Sequence, residues 1–118
     1  MMKLIELKDI LEASILAGDD HINMEFDKCG ASDLMSDILA GLSEGSVLLT
    51  GLTNIQAVRT AVVAGVGAIV FVRGKTPPQA VIDLARTEGI PLLTTPLSMF
   101  ISCGRLHARG ITGLNGLR

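Results

Sequence analysis

Three short apolar runs, each followed at once by a helix-spaced segment, constrain this chain more than any other feature. Ser46-Val47-Leu48-Leu49-Thr50 precedes a helical pattern over 55–64. Ala68-Ile69-Val70-Phe71-Val72 precedes one over 79–88, and Pro91-Leu92-Leu93-Thr94 precedes one over 97–109. Apolar runs without polar alternation belong to strands covered on both faces, which is the condition of a parallel sheet. Parallel strands need crossover connections, and right-handed helical crossovers supply them. The pattern therefore predicts an α/β fold: a single three-layer α/β/α domain with a mainly parallel sheet, βαβαβα in its second half, with additional βα elements before it. Punctuation agrees. Gly65, Gly89 and Gly110 stand where helices should stop, Pro77 or Pro78 and Pro96 where two should open, and Thr53 or Asn54 and Thr95 where capping oxygens are wanted.

The first 45 residues are less regular. Leu4, Leu7, Ile10 and Leu11 are at helical spacing, predicting a short helix over 6–13. Ile15-Leu16-Ala17 reads as a brief strand before a Gly18-Asp19-Asp20 turn, and 25–29 as a weakly alternating strand. A helix is expected over 33–40, with Ser32 as its cap, Asp33 at its positive end, Gly41 as its stop and Glu44-Gly45 as a turn. No linker or low-complexity stretch divides the chain, so residues 3–109 are read as one domain and 110–118 as a loose tail.

Composition narrows the function. Apolar residues make up 48% of the 118 and charged residues 19%. That surplus of apolar surface suggests cover by another subunit, and a homodimer is expected. The net charge of −2, with no Trp, no Tyr and only three Phe, leaves neither a basic footprint nor stacking platforms, so no nucleic-acid partner is expected. No apolar stretch is long enough to span a bilayer and the first residues carry acids where an export signal would be apolar, so a cytoplasmic protein without a membrane partner is expected. Cys29 and Cys103 lack metal-ligand spacing and read as two buried or half-buried thiols; no metal and no cofactor is expected.

In a parallel sheet, ligands gather outside the carboxyl ends of the strands. Those ends supply Thr50, Gly51, Thr53 and Asn54 from the first run, Arg73 and Lys75 from the second, and Thr94 and Thr95 from the third. Three helix N-termini with free amides, together with two cations, suit an anionic small molecule such as one bearing a phosphate. Ordinary turn and cap chemistry explains the same threonines and glycines. A second candidate surface is Ser32, Asp33, Ser36 and Asp37, which read as one polar helix face. Gly74-Lys75-Thr76 lacks the earlier glycine of a phosphate-binding loop, since position 69 is Ile69, and two prolines follow it. Gly65-Val66-Gly67 precedes a strand, whereas a dinucleotide fingerprint follows one. His21 and His107 have no nucleophile or orienting carboxylate near them in sequence. No catalytic residue is identified, and the chain is expected not to be an enzyme.

Three segments carry a family resemblance. Cys29-Gly30-Ala31-Ser32-Asp33-Leu34-Met35-Ser36-Asp37, Leu49-Thr50-Gly51 with Asn54, and Gly89-Ile90-Pro91-Leu92-Leu93-Thr94-Thr95 resemble a DRTGG domain across roughly residues 3–109. Such domains are similar to the N-terminal, non-catalytic domain of bacterial HPr kinase/phosphorylase. They also occur beside CBS domains in nucleotide-regulated pyrophosphatases and ahead of some phosphotransacetylases. The resemblance implies a non-enzymatic regulatory or assembly module, dimerising, of a bacterial or archaeal cytoplasmic protein, with a protein partner as one possibility. The alternative is a sensor of a nucleotide or other phosphate-bearing ligand at the strand edge. The chain has no literal Asp-Arg-Thr-Gly-Gly string, and no catalytic residue is carried over.

Overall fold

In the computed structural model, which describes residues 1–40 and 44–114, the apolar runs are the central strands of a six-stranded sheet. In chain order the strands are β1 (Met2–Lys3), β2 (Ser14–Ala17), β3 (Glu25–Phe26), β4 (Lys28–Ala31), β5 (Val47–Thr50), β6 (Ala68–Phe71), β7 (Leu92–Thr94) and β8 (Thr112–Gly113). The helices are α1 (Leu4–Ile10), α2 (Met35–Ala40), α3 (Ile55–Ala64), α4 (Gln79–Glu88) and α5 (Met99–Ala108). The sheet order is β2-β7-β6-β5-β4-β8, parallel throughout except for β2, which runs antiparallel to β7. β1 and β3 form a separate antiparallel pair.

Every residue of β5 and β6 is buried, as strands sandwiched between helices must be. Successive side chains divide between two cores. Val47, Leu49, Ala68, Val70 and Leu93 pack toward α1 and α5 with Leu4, Leu7, Leu11 and Leu106. Leu48, Ile69, Phe71 and Leu92 pack toward α2, α3 and α4 with Ile38, Val58, Ala61, Val81 and Ala85. The division follows from crossover handedness. The steps β4 to β5, β5 to β6 and β6 to β7 all move one way across the sheet, so right-handed connections place α2, α3 and α4 on one face. The step from β7 back to β8 runs the other way and puts α5 on the opposite face. This is the three-layer α/β/α arrangement that the alternation of apolar runs and helices predicts.

Several local expectations are corrected. The first helix begins at Leu4 and stops at Ile10, because the chain must turn into β2 at the far edge of the sheet. The weak strand over 25–29 is two strands, β3 and β4, in different sheets. The last helix opens at Met99, where Ser98 Oγ accepts from Ile101 N–H at 3.2 Å. The expected loose tail begins instead as structure: β8 pairs with β4, and Ile111 and Leu114 are buried. An apolar residue on each side of β8 gives this short strand its hold, and Leu114 packs on Gly30, where a Cβ would meet Leu114 Cδ1 at 2.8 Å. The expected stop at Gly41 and the end of the tail, 115–118, lie outside the described residues.

Candidate functional site

The turns at the carboxyl ends of β4, β5 and β6 meet at Gly51, where the Asp33 carboxylate and the Arg73 guanidinium close a narrow crevice over its buried backbone. The turn after β5 is set by its last residue. Thr50 is fully buried, and its hydroxyl oxygen accepts from Leu52 N–H at 3.2 Å, closing the turn that leads into α3. Asn54 then caps α3, its Oδ1 accepting from Ala57 N–H at 2.9 Å. Thr53 is half-buried beside it.

Asp33 does not serve the positive end of α2. Its Oδ1 accepts from Gly51 N–H at 2.7 Å and from the Thr50 hydroxyl at 3.0 Å. The two candidate surfaces thus meet: a carboxylate from the turn after β4 occupies donors presented at the end of β5. Ser32 is not the cap of α2 either; its hydroxyl accepts from Leu34 N–H at 3.0 Å and donates to Asp37 Oδ2 at 3.4 Å. Ser36 is exposed on α2.

Arg73 and Lys75 come from the other side. Arg73 is exposed and holds a left-handed backbone, φ 60°, which a non-glycine residue adopts at some cost. Arg73 N–H donates to Leu97 O at 2.8 Å and Gly74 N–H to Thr95 O at 2.7 Å, so the turn after β6 is fastened to the chain leaving β7. The guanidinium leans over Gly51: a Cβ built there would lie 3.3 Å from Arg73 Nη2 and 3.4 Å from Asp33 Oδ2. Among the described residues the guanidinium makes no ion pair or hydrogen bond. Gly51 is buried beneath these two groups, and because it lacks a Cβ the cation and the carboxylate can both approach its backbone this closely. Lys75 Nζ donates to Gly51 O at 3.1 Å, tying the two turns together.

The threonines at the end of β7 are structural. Thr94 donates to Lys75 O at 2.7 Å. Thr95 is fully buried; its hydroxyl donates to Leu11 O and accepts from Leu97 N–H, so it neither caps α5 nor faces a ligand. Strand alternation explains this, since Thr95 lies two residues after Leu93 and points into the same core. Nor do three helices open on the crevice. Residues 72–78 separate β6 from α4, whose cap is Pro78, whereas the cap of α3, Asn54, follows Gly51 by three residues.

A cavity of about 680 Å³ adjoins the crevice along β4 and β8. Its walls include Cys29, Cys103, Ile38, Leu106 and Leu114, with Ser32, Asp37 and His107 as polar members and no Lys or Arg among them. Burial pushes the Cys29 thiol well above its ordinary range, with the nearness of Cys103 adding to the effect, and burial raises Cys103 as well. Neutral thiols are poor nucleophiles and poor metal ligands. No cluster of three potential metal ligands occurs among the described residues. Also among them, no helix is long and apolar enough to cross a membrane. What sequence reasoning missed is that Asp33 is part of the crevice. A lone acid before a helix looks like a favourable dipole partner, and nothing in its spacing points across 18 residues to Gly51.

A profile of the DRTGG domain family matches residues 6–108. No curated protein sequence matches the chain significantly. Among solved structures, the chain is similar to the CBS and DRTGG domains of the regulatory region of Clostridium perfringens pyrophosphatase, crystallised with its activator diadenosine tetraphosphate. The TM-score is 0.71 at 20% identity, and the match covers 85% of this chain and 44% of that one.

Proposed function

This chain belongs to the DRTGG domain family, and from that premise we propose that it is a non-catalytic regulatory module that binds a small phosphate-bearing ligand in the crevice over Gly51. The observation that carries this reading is the donor set. An amide and a hydroxyl converge on one oxygen of Asp33, and a guanidinium unpaired among the described residues leans over the same glycine. Donors already arranged around a carboxylate oxygen are arranged for a phosphate oxygen too. Arg73 supplies the planar fork that recognises phosphate, and Lys75 and Asn54 fix the turns. The similarity to a regulatory region crystallised with a nucleotide activator supports a nucleotide as the ligand class.

A second role, self-assembly as a homodimer in the cytoplasm, is favoured by exposed large apolar side chains: Leu34 and Leu39 around α2, Val63 on α3 and Phe100 on α5. The two roles are compatible when ligand binding tunes assembly.

The test is a thermal-shift screen with nucleotides and phosphorylated metabolites. A ligand that binds only the folded chain raises Tm. At least one compound should do so for the parent chain and lose its effect on Arg73→Ala. A flat response to every compound, or shifts indifferent to Arg73→Ala, contradicts the assignment. Light scattering at micromolar concentration should give a dimer mass; a monomer mass removes the assembly role.

A further inference from the structure

We propose that Asp33 is an internal occupant of the crevice, so that a phosphate group binds by displacing its carboxylate and thereby frees the start of α2. The inference rests on the reading of the crevice as an anion site.

The geometry makes the competition direct. Gly51 N–H at 2.7 Å and the Thr50 hydroxyl at 3.0 Å both donate to Asp33 Oδ1. Another oxygen reaches these donors only when Oδ1 leaves. Asp33 satisfies the donors but does not engage Arg73, which stays unpaired among the described residues although it leans over the same glycine. A phosphate carries more oxygens than a carboxylate and can take the amide, the hydroxyl and the guanidinium together. That extra interaction is the differential affinity without which a ligand shifts nothing.

Little holds Asp33 in place besides these two bonds. Its side chain is exposed, in the turn between β4 and α2. The turn is anchored before it by Ser32 N–H on Leu49 O and after it by Leu34 N–H on Ser32 Oγ, neither of which involves the carboxylate. Displacement therefore disturbs no core packing. Its cost appears as a reduced apparent affinity, the intrinsic Kd divided by the fraction of molecules whose crevice is vacant. The regulatory consequence is local. Asp33 ties the approach to α2 to the turn between β5 and α3, and the exposed Leu34 and Leu39 lie just before α2 and near its end. Ligand binding changes how that apolar pair is held.

The experiment is calorimetric titration of the full chain with inorganic tripolyphosphate, comparing the parent with Asp33→Ala, Asp33→Asn, Asp37→Asn and Arg73→Ala. Asp33→Ala should bind about tenfold more tightly than the parent, because the crevice is then vacant in every molecule. Asp37→Asn removes the same charge from the adjoining helix without opening the crevice, and should change the affinity by less than about twofold. Arg73→Ala should bind more weakly. Binding by Asp33→Ala where the parent shows none also supports the proposal. If Arg73→Ala weakens binding while Asp33→Ala does not exceed Asp37→Asn, the internal occupant is refuted and the anion site stands. If the parent binds and Arg73→Ala binds as tightly, or if no variant binds, the site itself is refuted and the proposal with it. Asp33→Ala leaves the buried Thr50 hydroxyl without its acceptor. Should that variant not fold, Asp33→Asn, a neutral and weaker acceptor, must show the same direction of change, and its failure to do so counts against the proposal equally.

Discussion

The crevice over Gly51 and the cavity along β4 and β8 adjoin at Ser32-Asp33, yet they differ in kind. The cavity, about 680 Å³, has a mostly apolar lining, its thiols are held neutral by burial, and no Lys or Arg among the described residues lines it. The crevice instead holds an amide, a buried hydroxyl and a guanidinium unpaired among the described residues, all around one glycine. The contrast teaches that size and chemistry point to different places on this fold. Apolar walls beside a short edge strand are what a sheet leaves where it runs out of helices to cover it. Donors converging on one oxygen satisfy buried polar groups at the end of β5, and they also form a ready-made oxygen site.

If that distinction is right, substitutions in the two regions should have opposite signatures. The largest effect belongs to the cavity wall. Leu106 is almost fully buried in the core beneath α5, and Leu106→Ala should cost about 2–5 kcal/mol in urea unfolding, with tripolyphosphate affinity unchanged per folded molecule. Arg73→Ala should do the reverse. It should weaken tripolyphosphate binding by about 1.5–3 kcal/mol, the worth of a hydrogen bond to a charged group, while leaving the urea midpoint in place.

Two smaller effects probe the α5 side of the sheet. Ser102 is fully buried on α5, and its hydroxyl finds no partner among the described residues. Ser102→Ala should therefore stabilise the fold by about 1 kcal/mol, read as a raised urea midpoint. The thiols give the smallest change. Unfolded, both ionise around the ordinary 9.0, while burial keeps them protonated above that value in the folded chain. The unfolded state then binds fewer protons, so stability is complete below about pH 9 and declines as the pH rises past it. The chain has no Tyr to confuse this range. A Cys29→Ala, Cys103→Ala double variant should lose part of that alkaline decline; an identical decline would mean the thiols are not buried as described.

How much of this was legible in the sequence depended on how many neighbours each residue needed to declare its role. Val47–Thr50 and Ala68–Phe71 were readable because burial on both faces leaves an unbroken apolar run. Lys28-Cys29-Gly30-Ala31 carries no such mark; β4 is a strand because β5 and β8 pair with it from either side. The crevice was legible in part. Gly51, Arg73 and Lys75 follow from the rule that strand ends converge, but Thr95 looked like a cap although its alternation with Leu93 sends it into the core. Asp33 was read on its own helix because local dipole chemistry explains an acid there; its real partners lie on another strand.

The most direct test of the anion site is an amide-resolved NMR titration of the parent chain with inorganic tripolyphosphate. The account predicts saturating shifts at Thr50, Gly51 and Arg73, with Cys103, Thr112 and Gly113 along the cavity stationary. Saturating shifts along the cavity, with Gly51 and Arg73 unmoved, would contradict it.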